Sequence, residues 1–383
     1  MRISAVRRLV SATGIIGLCA APPAAFVAPA PAGPTAAPLP LRRSAVSDTD
    51  VTLFLIGDAG APAPAGDPVL IALTREASAA HAQHRVVVFL GDNIYPRGLP
   101  DTLDRGRAQA VQRINAQLHV QEASGARVIF VPGNHDWDAG HADGWAAIRR
   151  EGAYIDHAGG DLSPGAGVAG ASMLPANGCP GPAVVDVGAR VRLVLLDSEW
   201  WLASGPKPTD GCPAATAEEV LDQLRHDIAG AGTRRVIVGA HHPVVSGGVH
   251  GEPVRWTDPF RSLPSALARR LIRDAQDFSG AKYRVLRAAL DSVFASNPPF
   301  AFATGHDHAL QVISRDHAPL FLVSGAGTFH HLDLVEPIRG TRFEAHESGY
   351  MRLDFVGDTG VRLSVRVVDA SATARDAYTQ EWP

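Results

Sequence analysis

Val86-Val87-Val88-Phe89-Leu90-Gly91-Asp92-Asn93-Ile94-Tyr95 decides how this chain is read. A run of β-branched and apolar residues, too short for a helix, stops abruptly on a Gly-Asp pair. The same pattern recurs along the chain. Val51–Ile56 leads to Gly57-Asp58-Ala59-Gly60, and Val128–Val131 leads to Gly133-Asn134-His135-Asp136. Arg235–Val238 leads to Ala240-His241-His242-Pro243, and Pro299–Thr304 to Gly305-His306-Asp307-His308. Strands that end at one edge of a sheet deliver the residues after them to one surface. Groups far apart in sequence therefore converge.

Working outward, helical patterns over Pro68–His81 and within Asp101–Glu122 separate the first three strands, which makes those strands largely parallel. Gly159–Gly181 lacks periodicity and is expected to be a long surface excursion. A hairpin is expected from Ala183–Val187 and Val191–Leu196. Helices over Ala217–Ile228 and Tyr283–Ala295 precede the last two cassettes. The C-terminal third reads as antiparallel strands: Leu310–Ser314, Leu320–Ser324, Met351–Phe355 and Val361–Val367. The expected fold class is α/β, a two-sheet β-sandwich flanked by helices, with the cassettes along one rim. The domain is expected over residues 49–370, with an insertion at 251–280 and a C-terminal tail at 371–383.

At 383 residues and 46% hydrophobic, the chain can bury a large core in one domain. Its net charge of −4 offers no basic face for nucleic acid. Arg2, Arg7 and Arg8 precede the apolar stretch Leu9–Leu18, which is too short to span a bilayer. Residues 1–32 therefore read as a signal peptide, with Ala30-Pro31-Ala32 a usable cleavage site. Residues 33–48 read as a Pro/Ala-rich linker. Export to the periplasm or outside the cell follows, with no transmembrane segment in the mature chain. The two cysteines beyond that segment, Cys179 and Cys212, sit in matching turns, and in an oxidising compartment they are expected to be bridged.

The cassettes carry the chemistry. Asp58 and Asp92 are hard anionic oxygens, and one carboxylate can bridge two cations. The imidazoles of His241, His306 and His308 suit Zn, Fe or Mn, and Asn134 offers a neutral amide oxygen. On an extended chain His306 and His308 point to the same side. Carboxylate, amide, imidazole and phenolate together describe a two-metal hydrolytic centre.

In order and spacing, these cassettes resemble the calcineurin-like metallophosphoesterase superfamily, and within it the purple acid phosphatases of the small tartrate-resistant type. Gly60 stands where many relatives carry a ligand histidine. Tyr95 follows Asp92 by three, the place of the family's metal-bound tyrosinate, and Val323–Phe329 is also similar to that type. The resemblance implies iron(III) held by Asp58, Tyr95, His308 and a bridging Asp92. It implies a divalent ion (Fe, Zn or Mn) held by Asp92, Asn134, His241 and His306. His241 is preferred to His242 because His250 stands nine residues after it, as the family's second functional histidine does. His135 and His250 are implied to be catalytic residues that face the phosphate without binding metal. Val249 replaces a glutamate of animal relatives beside His250, which puts a third acid–base group there in doubt. Asp136 either orients His135 or is a solvated loop acid.

The implied activity is hydrolysis of phosphomonoesters, acid-phosphatase-like, by a metal-activated hydroxide on a small-molecule or phosphoprotein substrate. A phosphodiesterase or nucleotide hydrolase on the same centre is the nearest alternative. A non-catalytic, metal-dependent phosphate-binding protein is the alternative from another class, and the non-ligand histidines argue against it. Other features have bland readings preferred to functional ones: Trp200-Trp201 as core or loop residues rather than the lining of a substrate cleft, His330-His331 as surface residues rather than ones that reach the rim, Asp197 as structural, and Leu263, Leu267 and Leu271 as a helix on its own domain rather than on a membrane surface. The insertion is either a cap whose Val254, Trp256, Phe260 and Leu263 contact the leaving group, or a surface excursion.

Overall fold

From Val51 to Ile56 every residue of the first strand is buried, so both of its faces must meet apolar partners. Alternation sorts those faces. Val51, Leu53 and Leu55 pack with Val86, Val88 and Leu90, and with Leu193, Ile237, Ala303 and Leu322 from a second sheet. Phe54, Ile56, Val87 and Phe89 point the other way, among Leu73, Ile114 and Leu118 of flanking helices. Two apolar layers follow from one pattern: a core between sheets and a core under the helices.

The computed structural model describes residues 49–158, 170–208, 210–251, 276–316 and 318–383. The elements are β1 (Thr49–Ile56), α1 (Pro68–Ala79), β2 (His84–Leu90), α2 (Arg107–Ser124), β3 (Arg127–Val131), α3 (Gly144–Ala158) and β4 (Ala171–Met173). Next come β5 (Ala183–Val187), β6 (Val191–Leu195), the short α4 (Glu199–Leu202), α5 (Ala217–Ala229), β7 (Arg235–Gly239) and α6 (Ala281–Ser296). The chain ends with β8 (Ala301–Thr304), β9 (Leu310–Ser314), β10 (Leu320–Ser324), β11 (Thr341–Ala345), β12 (Gly349–Val356), β13 (Gly360–Val368) and β14 (Ala374–Trp382). Two seven-stranded sheets result, ordered β14-β13-β12-β1-β2-β3-β4 and β11-β9-β10-β8-β7-β6-β5.

β1, β2 and β3 run parallel in the first sheet, and β6, β7 and β8 run parallel in the second. Asp58, Asp92 and Asn134 follow β1, β2 and β3, while His241 and His306 follow β7 and β8. The donors therefore leave the C-terminal ends of parallel strands in both sheets, on one rim. Local chemistry sets the helix entries. Asp67 caps α1 by accepting from the Val69 amide at 2.9 Å, with Pro68 at the first turn. Thr216 and Glu219 form a capping box on α5.

The expected sandwich is the observed one, but two local readings need correction. Residues 371–383 are not a tail, because β14 pairs with β13 as the outer strand of the first sheet. The stretch 159–181 is not wholly a surface excursion: Ala171–Met173 is a buried strand paired with β3. The C-terminal strands pair antiparallel as expected and are divided between the two sheets. β9 and β10 belong to the second sheet, whereas β12 and β13 extend the first by pairing β12 with β1. Helix α3 went unread because Gly144 and Gly152 dilute its pattern. Gly144 is required there, since a Cβ would lie 2.5 Å from the Trp137 carbonyl oxygen.

Residues 1–48 lie outside the described residues, as do 252–275, which contain Val254, Trp256, Phe260 and the leucines at 263, 267 and 271. No described helix is long and apolar enough to cross a membrane.

Cys179 and Cys212 are bridged, with Cα atoms 5.6 Å apart and a sequence separation of 33. Closing a loop of that length restricts the unfolded chain, a stabilisation of about 3–4 kcal/mol. Replacing both cysteines with serine should lower the unfolding free energy by about that amount. Urea melts of the two proteins measure it, and coincident curves would show that the bridge constrains nothing.

Candidate metal centre

The rim residues fall into one continuous polar cluster. Asp58 is 1% exposed, and its Oδ1 accepts the Tyr95 hydroxyl at 3.0 Å. The His308 Nε2 atom lies 3.0 Å from the same hydroxyl and 3.3 Å from Asp58 Oδ1. Asp58, Tyr95 and His308, implied ligands of one ion, thus meet directly. On the other side His241 Nε2 is 3.0 Å from Asn134 Oδ1 and 3.4 Å from Asp92 Oδ1. Possible ligand atoms of Asp58, Asp92 and His241 all lie within 4.8 Å of one another. His306 belongs with His241 and His242 in a second such group. The donor set fits two adjacent cations, since hard oxygens and imidazoles converge in a buried place.

The backbone at these positions is unusual. Asp58, Asp92 and His306 have φ of 60°, 56° and 72°, the left-handed region that side chains other than glycine rarely occupy. Residues held there cluster where function over-determines geometry. Crowding is severe beside them. A Cβ on Gly305 would lie 2.5 Å from Asp58 Oδ2 and 3.0 Å from the Leu90 carbonyl. Of the glycines at positions 57, 91, 133 and 305, only Gly91 has a positive φ, so turning is not their shared purpose. At Gly305 the need is space.

Five histidines around the cluster each have one ring nitrogen engaged by an oxygen acceptor. His241 Nδ1 donates to the Leu90 carbonyl at 2.8 Å, and His306 Nε2 to the Gln276 carbonyl at 2.9 Å. His308 Nδ1 faces Asp333 Oδ2 at 3.1 Å. His135 Nδ1 donates to the Pro96 carbonyl at 2.6 Å, and His250 Nδ1 to Asp277 Oδ1 at 2.6 Å. A carbonyl can only accept, so the nitrogen it engages carries a hydrogen, and the other nitrogen is the one left to a metal or substrate. Ligand histidines are commonly held this way. His242 differs, because Nδ1 meets Ser198 Oγ at 2.8 Å and Nε2 meets Gln276 Oε1 at 2.7 Å. Both of its nitrogens are spoken for, which favours His241 as the donor.

Charge follows the same arrangement. Burial alone would raise the Asp92 carboxyl, but His241 and His135 outweigh it and hold Asp92 well below the usual carboxylate range. His241 is pushed up to about 10, burial opposing and Asp92 prevailing. His308 reaches about 9, again against burial, through Asp58 and Asp333. Burial, then the charges of Asp58 and Asp92, push the Tyr95 phenol well above its normal value. Without a cation, protons on these rings balance the carboxylates. Metal uptake must expel them, so affinity rises with pH.

His135 and His250 stand beside the cluster. His135 Nε2 is 3.9 Å from Asp92 Oδ2, and the His250 ring lies 4.4 Å from that of His306. Three readings of the loops were wrong or incomplete. Asp136 neither orients His135 nor meets solvent: it is buried and accepts from the amides of Asn93, Ile94 and Gly133 at 2.8, 3.0 and 2.8 Å. Burial and then the Asp92 charge push its carboxyl up to about 8, against those amide donors. His331 is not a surface residue, since its ring lies 4.2 Å from His308 and 5.0 Å from Tyr95. Asp277 and Asp333 were not singled out at all, because their partners are distant in sequence and their loops carry no periodicity. Trp200 and Trp201 are buried, and Asp197 accepts from Trp137 Nε1 at 2.9 Å, as a packing role requires.

The calcineurin-like phosphoesterase family matches residues 51–309. No curated protein matches the chain. Its fold is similar to that of GAP50, the anchor in the inner membrane complex of Plasmodium, with TM-score 0.54 and 14% identity over 87% of this chain and 88% of that one. It is similar to purple acid phosphatase PPD1 from yellow lupin seeds, with TM-score 0.52 and 14% identity over 86% of this chain and 53% of that one. It is also similar to PhoD, with TM-score 0.51 and 13% identity over 86% and 69%. At these identities the likeness is one of fold.

Gly305→Ala should displace Asp58 or the Leu90 carbonyl, costing about 1–3 kcal/mol as overpacking does. It should also lower bound metal measured by elemental analysis. Unchanged stability and metal content would show that the rim is looser than these distances.

Proposed function

This chain belongs to the calcineurin-like phosphoesterase family, and from that footing we propose that it hydrolyses phosphomonoesters at a binuclear metal centre on the rim, as an acid phosphatase. One ion would be held by Asp58, Tyr95, His308 and Asp92, the other by Asp92, Asn134, His241 and His306. The observation that carries this reading is the set of fixed imidazoles. Each of these three histidines has its outer nitrogen tied to an oxygen acceptor, at 2.8, 2.9 and 3.1 Å, leaving one nitrogen for a ligand bond. Two cations bound there would supply Lewis-acid charge for the phosphoryl oxygens and for water.

The remaining chemistry belongs to the chain. His135 and His250 each keep Nδ1 occupied, so Nε2 is the nitrogen offered to substrate. Two such donors can orient a phosphate, offset its growing charge and deliver a proton to the departing ester oxygen. Asp92 serves both halves of the site and also fixes the loop, its Oδ1 accepting the His135 amide at 2.9 Å. Tyr95 supports an iron(III) partner with Fe, Zn or Mn as the second ion. Its hydroxyl lies 3.0 Å from both Asp58 Oδ1 and His308 Nε2, where a phenolate would be a hard anionic oxygen suited to a trivalent ion. The disulfide supports an oxidising location, and so export behind a signal peptide.

Diester or nucleotide hydrolysis would use the same groups, because none of them reads the leaving group. A binding role remains the competing class, and one neighbour in fold is described as an anchor. Histidines placed for substrate but not for metal are superfluous in such a protein. Comparing p-nitrophenyl phosphate with bis-p-nitrophenyl phosphate separates these readings. The monoester should be preferred, and His135→Ala should lose on the order of 10²-fold in rate with metal retained. Iron-loaded protein should absorb visible light in a band that Tyr95→Phe bleaches. Diester preference, no turnover, or a colourless iron-loaded protein would each contradict the corresponding part of the proposal.

A further inference from the structure

The two ends of the 251–280 insertion meet at the metal cluster. The Phe278 amide donates to the His250 carbonyl at 3.0 Å, so the chain returns to the residue from which it departed. Immediately before Phe278, two consecutive residues turn toward different histidines. The Gln276 carbonyl takes the His306 Nε2 hydrogen at 2.9 Å, while its side chain bridges His242 Nε2 at 2.7 Å and Glu199 Oε2 at 3.1 Å. Asp277 Oδ1 lies 2.6 Å from His250 Nδ1. The Asp277 side chain is only 18% exposed, and that of His250 is 28% exposed.

We propose that Asp277 is the positioning residue for His250: its carboxylate holds the Nδ1 hydrogen and so presents Nε2 to the substrate. The inference rests on the reading of His250 as a substrate-facing group, and it adds the residue that makes that role possible. An imidazole free to rotate about its side-chain bonds offers either nitrogen, and a carboxylate acceptor on one of them selects tautomer and direction together. The position beside His250 holds Val249, which cannot supply such an acceptor. Here it comes instead from the far end of the insertion. The His250 amide is separately fixed by Asp307 Oδ1 at 2.9 Å, and the Ser246 hydroxyl also donates to Asp307. Backbone and ring are thus held by different carboxylates, and the hydrogen bond of the ring is the one to Asp277.

The test compares wild type, Asp277→Ala, His250→Ala and the double variant in full-length protein. Histidine ring spectra of the metal-free chain give the first readout. The hydrogen-bonded ring N–H signal that disappears in His250→Ala should also disappear or shift in Asp277→Ala. With metal bound, Asp277→Ala should lose on the order of 10- to 100-fold in kcat on p-nitrophenyl phosphate, the usual scale for such partners. In the His250→Ala background the same substitution should change kcat by less than about twofold. A ring signal indifferent to Asp277→Ala overturns the proposal, as does a rate loss that multiplies in full with that of His250→Ala. A wild type that cleaves no phosphate ester would sink the functional reading, and the ring signal would still decide the Asp277 contact.

Discussion

Hydrogen bonds join the sheets at the rim, and the site depends above all on two of them. Asp58, at the end of β1, takes the His306 amide hydrogen at 2.8 Å from the loop after β8. His241, after β7, gives its Nδ1 hydrogen to the Leu90 carbonyl at the end of β2 at 2.8 Å. Each bond runs from one sheet to the other, and each uses a group that also belongs to the cluster. The Thr328 hydroxyl and the Ser324 carbonyl reinforce the seam by bonding Asp58 O and Gly57 N at 2.8 and 2.7 Å. A sandwich packed on side chains alone can slide by fractions of an ångström. Polar contacts of fixed length at the strand ends prevent that, and they hold the donors in register.

The seam also explains the glycine at position 305. Bringing β1, β2 and β8 this close leaves no room for a Cβ at Gly305. Asp58, Asp92 and His306, beside it, are held at positive φ. Such conformations cost on the order of 1–3 kcal/mol each. The large apolar layers on both faces of both sheets supply the stabilisation that lets the rim hold them. Function at the rim is thus bought with packing below it.

Much of this was legible in the sequence. Strand ends and ligand candidates could be read together because an apolar run that stops on Gly-Asp or Gly-His encodes both. Asp58, Asp92, Tyr95, Asn134, His241, His306 and His308 do converge. The partners that fix their rings were not legible. The Leu90 carbonyl, the Gln276 carbonyl, Asp333 and Asp277 are chosen by proximity across the fold, and no local pattern announces proximity. His331 went unread for the same reason. Asp136 misled because an acid next to His135 suggests a pair, whereas its carboxylate turns inward to collect three backbone amides. β14 was missed because its polar alternation, with one face exposed, resembles a tail.

The central claim is that Asp92 is shared by two metal sites, each of which draws ligands from both sheets. Metal stoichiometry of Asp92→Ala and Asn134→Ala, each measured by elemental analysis on folded protein, tests it most directly. The account predicts that Asp92→Ala loses both ions together and Asn134→Ala mainly the second. Two ions retained in Asp92→Ala would contradict it.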